Sequence, residues 1–325
     1  MEDTEILEKF QGKKVLVIGD FILDNYIHGT VTRVSNEAPI SVVKQAKVTD
    51  ELGGAGNVAA TITELNGNAN VIGVVGDDNE GEKLKGLLQE NIILTDSIVV
   101  DKSRPTTKKS RVIVKGHHLS RLDIESEDEP SKDVKAKLME NIKSYIPDVD
   151  VVVVSDRGKG LITRELMGCL IRDCNKTGTK ILVDPYPAHM DFYSGVSMMT
   201  PIPKEARTML SLPKSEVEGL MDLSTRTARS LNTIVMMQHS KKGLYYAAPD
   251  ETQIHIPRET EITDITGARD VFLGTLALLI ATGAELENTT RISNLAYEIT
   301  CRKLGSAKLT IREIKDALRQ KAFVI

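Results

Sequence analysis

Short apolar, β-branched runs at residues 14–20, 71–75, 151–154, 180–183 and 233–237 alternate with amphipathic stretches at 57–65, 81–89, 131–145, 163–175 and 215–231. A run of that length bounded by polar turns suits a strand covered on both faces, while apolar positions recurring every three or four residues suit a helix with one buried stripe. Strands and helices in alternation predict right-handed crossovers and an α/β fold with a mostly parallel sheet. Residues 268–282, 286–304 and 310–321 predict further helices closing one side of that sheet.

Two regions break the rhythm. Residues 26–48 and 106–124 alternate apolar and polar positions, so they read as strand pairs that a buried parallel sheet would not accept. They predict a small second sheet beside the main body, serving as a lid or a dimer clasp. Val42, Val112 and Val114 would need cover there, which predicts a homodimer. The whole span 1–325 is expected to be one domain with these strands as its attachment.

The charge balance adds exclusions. With 42 Lys+Arg against 46 Asp+Glu and a net charge of -4, no bulk attraction for nucleic acid is expected. No apolar run approaches the ~20 residues of a membrane span, and the N-terminus is acidic, so a cytoplasmic protein is expected. Cys169, Cys174 and Cys301 lack metal or redox spacing and read as buried thiols. His117 and His118 are adjacent on a strand and would point to opposite faces, which disfavours a metal site between them.

Polar clusters fall where parallel strands end, the usual ligand edge of such sheets. Asp20 and Asp24 follow the first strand, and ELGGAGNVAA sets Gly53, Gly54 and Gly56 before Asn57 at a helix start. SDRGKG follows the strand at 151–154, DPYP the next, and TPIPKEAR comes soon after. Each alone is an ordinary turn; together they outline a cleft. Gly53 and Gly54 would admit a close ligand, and Asn57 offers a donor and an acceptor suited to hydroxyls. Neither a GxxxxGK[ST] nor a GxGxxG pattern occurs. The late stretch DITGARD, residues 264–270, opens an apolar helix and presents amides to an anion, but Arg269 sits where a second glycine would suit a phosphate.

Taken in order, VIGDFILD, GGAGN and DITGARD resemble the ribokinase-like (phosphofructokinase-B) family of carbohydrate kinases, over nearly the whole chain. TRVSNEAPISVVK, KSRVIVKGHHLSRLDIE, SDRGKG and RKLGS bring the likeness nearest the heptose-7-phosphate kinases within it. The resemblance implies a three-layer fold with a β-strand lid and ATP-dependent phosphorylation of a sugar or sugar phosphate. It implies Asp270 as the base, with the amides of Gly267, Ala268, Arg269 and Asp270 stabilising the developing charge. Asp24, Gly53, Gly54 and Asn57 would hold the sugar. Arg111 and Arg121, with Arg33 and Lys109, would hold a substrate phosphate. Glu205, Gly243 and Asp264 would lie on the nucleotide side, with ATP and Mg²⁺ as cofactors and a monovalent cation as a further candidate; the metal ligands stay unassigned. Such kinases are often fused to a nucleotidyltransferase, and this chain is expected to carry the kinase unit alone.

Four departures from the family pattern cluster on the nucleotide side. Arg269 replaces a glycine, Ile202 replaces the Asn of the NxxE motif ending at Glu205, Gln238 and His239 open the segment before Gly243, and Tyr186 stands where the heptose kinases have Lys. Arg269 could obstruct a γ-phosphate or act on it as a cation in cis. The alternative to a kinase is therefore a catalytically impaired homologue that binds a sugar phosphate.

Overall fold

The computed structural model describes residues 3–213, 219–303, 305 and 308–322. In chain order these form α1 (Asp3–Glu8), β1 (Lys14–Gly19), β2 (Phe21–Val34), β3 (Ser41–Gly54), α2 (Ala55–Glu64), β4 (Asn68–Gly76), α3 (Asn79–Glu90) and β5 (Ile98–Asp101). There follow β6 (Lys108–Val114), β7 (His117–Ile124), α4 (Lys132–Tyr145), β8 (Val151–Ser155), α5 (Arg164–Thr177), β9 (Lys180–Asp184), β10 (Met198–Met199) and α6 (Pro203–Met209). The chain then runs through α7 (Leu220–Leu231), β11 (Ile234–His239), β12 (Gly243–Ala247), β13 (Gln253–Ile256), α8 (Ala268–Ala281), α9 (Leu286–Cys301) and α10 (Ile311–Ala322). The start of the helix predicted at 215–231 and the last residue of the one predicted at 286–304 lie outside the described residues.

The main sheet has the order β13-β12-β11-β10-β9-β8-β1-β4-β5 and is parallel except for the β11–β12 and β12–β13 pairs. Alternation along β1 explains its two cores. Val15 and Val17 join the cluster under α2, α8 and α9, whereas Leu16 and Ile18 join the cluster under α4 and α5. This is the three-layer α/β arrangement the pattern predicts. The antiparallel β12–β13 edge was not predicted. Its strands are only five and four residues long and carry too little pattern to be told from loop.

The second sheet has the order β3-β2-β6-β7, with β2 and β6 parallel. Its strands are longer than expected, because β2 begins at Phe21 and β3 ends at Gly54. Asp24 therefore lies within a strand rather than in a turn after β1. Val42, Val112 and Val114 are half-buried; the large apolar side chains standing furthest out from the lid are Val34, Ile40, Leu122 and Ile124, with Val31, Val48 and Leu119 less so. Cys169 is likewise only half-buried, while Cys174 and Cys301 are buried. Among the described residues no helix is long and apolar enough to cross a membrane.

Candidate active site

The lid meets the main sheet at Asp20. The backbone carbonyl of Asp20 accepts from Ala55 N at 3.1 Å, which brings the end of β3 and the start of α2 back onto the end of β1. Gly54 holds φ at 55°, and a Cβ there would lie 2.5 Å from that carbonyl. At Gly53 a Cβ would lie 2.3 Å from an Asp24 carboxylate oxygen. Gly54 is thus required by its dihedral and by the backbone it meets, while a side chain at Gly53 would push the Asp24 carboxylate from its place. Asp24 accepts from Arg111 Nη1 at 2.5 Å, and the Arg111 guanidinium lies 5.4 Å from the Tyr26 ring. Burial pushes the Asp24 carboxyl up, Arg111 pulls it back, and the charge of Asp270 adds to the rise, so the two acids share one electrostatic space.

Arg121 is not gathered into this group. It is paired across from Arg111 in the β6–β7 register, yet its side chain is 58% exposed and its partner is Asp123 at 3.0 Å. Arg111 is engaged with Asp24, and Arg121 stands opposite it on the edge strand, paired with Asp123.

Asp270 sits in the first turn of α8, buried, after Gly267 at φ 71°. Both of its oxygens are engaged. Asn57 Nδ2 donates to Oδ2 at 3.0 Å, joining the GGAGN and DITGARD segments across the fold. Arg157 Nη2 donates to Oδ1 at 2.8 Å and lies equally close, 2.8 Å, to Asp184 Oδ2. Arg157 comes from SDRGKG and had no role in the sequence reading. A cation beside glycines at the carboxyl end of a central strand was the available signal. The loop that carries it is fixed. Asp20 accepts from the amides of Arg157 and Lys159, Asp156 accepts from Gly158 N and Tyr193 Oη, and the Tyr186 ring packs on Gly158.

Arg269 turns toward the end of β9 and the start of α6. It donates to both oxygens of Glu205, at 2.6 and 2.7 Å, and to the carbonyl of Thr200 at 3.2 Å, and it contacts Asp184. Asp184 is fully buried at the end of β9; burial pushes its carboxyl up to about 6 against the pull of Arg157 and Arg269. The result is an alternating line of charge: Asp270, Arg157, Asp184, Arg269, Glu205.

The nucleotide-side residues have structural partners of their own. Asp264 accepts from Thr266 N and Oγ1 and from Gly305 N, tying the turn before α8 to the end of α9. Gly243, at φ 96°, lies so close to Ile256 O and Arg258 N that no side chain fits. Buried Gln238 donates to Asn294 Oδ1 at 3.4 Å, Asn294 donates to Glu298 at 3.0 Å, and Glu298 lies 3.7 Å from Arg258, which stacks on Tyr297. Gln238, one of the four departures, is thus absorbed into a buried polar network.

Comparison with known proteins bears on this geometry. Residues 12–312 match the pfkB family of carbohydrate kinases. The bifunctional protein HldE of Sulfurimonas denitrificans is 34% identical over 312 residues, covering 96% of this chain and 65% of that protein. HldE of Caulobacter vibrioides is 34% identical over 316 residues, covering 94% of this chain and 63% of that protein. The chain thus spans less than two thirds of the length of these relatives. Among solved structures, Arabidopsis thaliana ribokinase with ribose and ATP aligns at a TM-score of 0.73 and 16% identity, covering 95% and 99% of the two chains. Escherichia coli phosphofructokinase-2 with potassium aligns at 0.77 and 18%, covering 96% and 99%. The structural likeness establishes a ribokinase-like fold.

Proposed function

The chain belongs to the pfkB family of carbohydrate kinases, and from that premise we propose that it transfers a phosphoryl group from ATP to a hydroxyl of a sugar or sugar phosphate, a heptose phosphate being the finer assignment. The observation that carries the reading is the approach of Asn57 to Asp270, which joins the sugar-side glycine loop to the helix turn where charge would develop. A sugar held by Asp24, the Gly53–Gly54 backbone and Asn57 would present its hydroxyl to Asp270, and Asp270 would take the proton as the oxygen attacks phosphorus. The first-turn amides of α8 would face the developing negative charge. In this family's chemistry Mg²⁺ supplies charge neutralisation at the transferring phosphate. The carboxylates here do not fit that ion as they stand, since guanidinium groups fill the gaps between them.

The test is product formation from ATP and a panel of sugar phosphates by the wild-type protein and by Asp270→Asn. Turnover should fall roughly a hundredfold or more in the variant with sugar affinity nearly unchanged, because a general base acts chiefly in the transition state. Near wild-type turnover in the variant would remove Asp270 from the mechanism.

A second reading, a homologue that binds a sugar phosphate but transfers poorly, is favoured by the contact of Arg157 with Asp270. A guanidinium 2.8 Å from Oδ1 competes with a substrate hydroxyl for that oxygen. Calorimetric titration of ATP separates the two: no binding at millimolar nucleotide supports this second reading.

A further inference from the structure

Resting on that reading of the site, we infer that Arg157 and Arg269 are the resident counter-cations of the phosphate end, standing where a divalent ion would have to bind, so that this site takes no Mg²⁺. Three carboxylates converge there from separate elements: Asp184 at the end of β9, Glu205 in the first turn of α6 and Asp270 in the first turn of α8. Convergent acids at strand and helix ends can hold a hard cation, which needs oxygen ligands about 2.0–2.1 Å away in near-octahedral array. Here each gap between the acids is filled by a planar, permanently charged fork. Arg157 lies 2.8 Å from both Asp270 and Asp184. Arg269 contacts Asp184 and meets both oxygens of Glu205 at 2.6 and 2.7 Å.

The arrangement is built rather than incidental. Asp184 is fully buried, and the two guanidiniums are the cations that balance it; the arginine side chains are 23% and 20% exposed. Arg269 is fixed from a third side by the carbonyl of Thr200 at 3.2 Å. A divalent ion could enter only by displacing a guanidinium from two or three contacts at once and leaving that cation beside it. Among the described residues no group of three or more His, Cys, Asp or Glu side chains is placed to hold a metal. Guanidinium is also the side chain best matched to carboxylate and phosphate oxygens, so the positive charge a phosphate needs is present without a metal.

The test uses Mn²⁺ as a spectroscopic stand-in for Mg²⁺, with free Mn²⁺ followed by electron paramagnetic resonance during titration of the intact wild-type protein. No stoichiometric site should be seen below millimolar Mn²⁺. Arg269→Gln, which frees Asp184 and Glu205, should bind Mn²⁺ at least about tenfold more tightly, equivalent to ~1.4 kcal/mol. Arg269→Lys, which keeps the charge, should bind no better than wild type. A stoichiometric submillimolar Mn²⁺ site in the wild-type protein would overturn the inference, a measurement that needs no variant. Equal Mn²⁺ affinity in wild type and folded Arg269→Gln would overturn it as well. Phosphotransfer strictly dependent on Mg²⁺ would sink this inference while leaving the kinase reading intact; a protein silent to Mn²⁺ and without phosphotransfer would do the reverse.

Discussion

Arg269 closes on Glu205 with both arms of its guanidinium, at 2.6 and 2.7 Å, across 64 residues of sequence. The side chain at the questionable position of DITGARD is therefore neither swinging freely nor aimed into open space. It is held against the start of α6, and the same grip keeps it beside Asp184.

Replacing Arg269 by Gly should lower ATP affinity unless Mg²⁺ is supplied, because the guanidinium is the resident cation at the phosphate end. Without the ion, Asp184 and Glu205 would face the triphosphate uncompensated. The variant should also lose roughly 3–5 kcal/mol of stability, the range for breaking a buried ion pair from one side. Calorimetric ATP titrations with Mg²⁺ and with chelator, together with urea unfolding, check both parts. ATP affinity unchanged by the substitution under chelator would show that Arg269 does not serve as a cation for the nucleotide.

Arg111→Ala should weaken a phosphorylated sugar and its unphosphorylated analogue by similar factors, roughly tenfold, the effect of losing one charge-assisted contact. Arg111 is engaged with Asp24 at 2.5 Å, so its removal disturbs the residue proposed to hold the sugar itself. Calorimetry with the two ligands decides. A loss confined to the phosphorylated ligand would return Arg111 to the phosphate-binding role that the sequence suggested.

Asp20 supplies a pH dependence. Burial pushes its carboxyl from 3.8 up to about 6, with the charge of Asp156 adding to the rise. In the unfolded chain the group ionises near 3.8; in the folded protein it does so near 6, so stability falls as pH rises between those values and stays lower above them. Asp20→Asn should remove that penalty, which is on the order of 1–3 kcal/mol, while its amide oxygen still accepts from Arg157 N and Lys159 N. Thermal unfolding should show the variant gaining on wild type at pH 7.5 and not at pH 4. An equal difference at both values would place the effect outside Asp20 ionisation.

Leu122 and Ile124 are 59% and 50% exposed and alternate with Arg121 and Asp123, so they face away from the Arg111 side of the lid. Val34 and Ile40 stand at the far end of the same sheet, and a second copy of the chain laid along the lid would cover both places. Light scattering at micromolar concentration should give a dimer, and Leu122→Glu should give a monomer. A wild-type monomer would leave the lid as a cover for the site alone.

What the sequence determined by itself is whatever short-range physics encodes. Runs such as 14–20 and 151–154 must be buried strands because their apolar residues are continuous. GGAGN must be a close-packed turn, and DITGARD must open a helix, because glycine freedom and helix onset are written within a few residues. Asn57 could be named in that way, and the family resemblance added the roles of Asp24 and Asp270. Tertiary structure alone decided what these residues touch. The contact of Arg157 with Asp270 spans 113 positions and that of Asn57 with Asp270 spans 213. No periodicity links such residues, and only the parallel sheet, by bringing the carboxyl ends of β1, β8 and β9 to one edge, sets the SDRGKG loop against Asp184 and the α8 turn. The role of Arg269 stayed open for the same reason. A side chain's direction within a helix turn is local, but its partners are chosen by whichever buried charge the rest of the fold leaves within reach, and here that charge is Asp184 with Glu205 beside it.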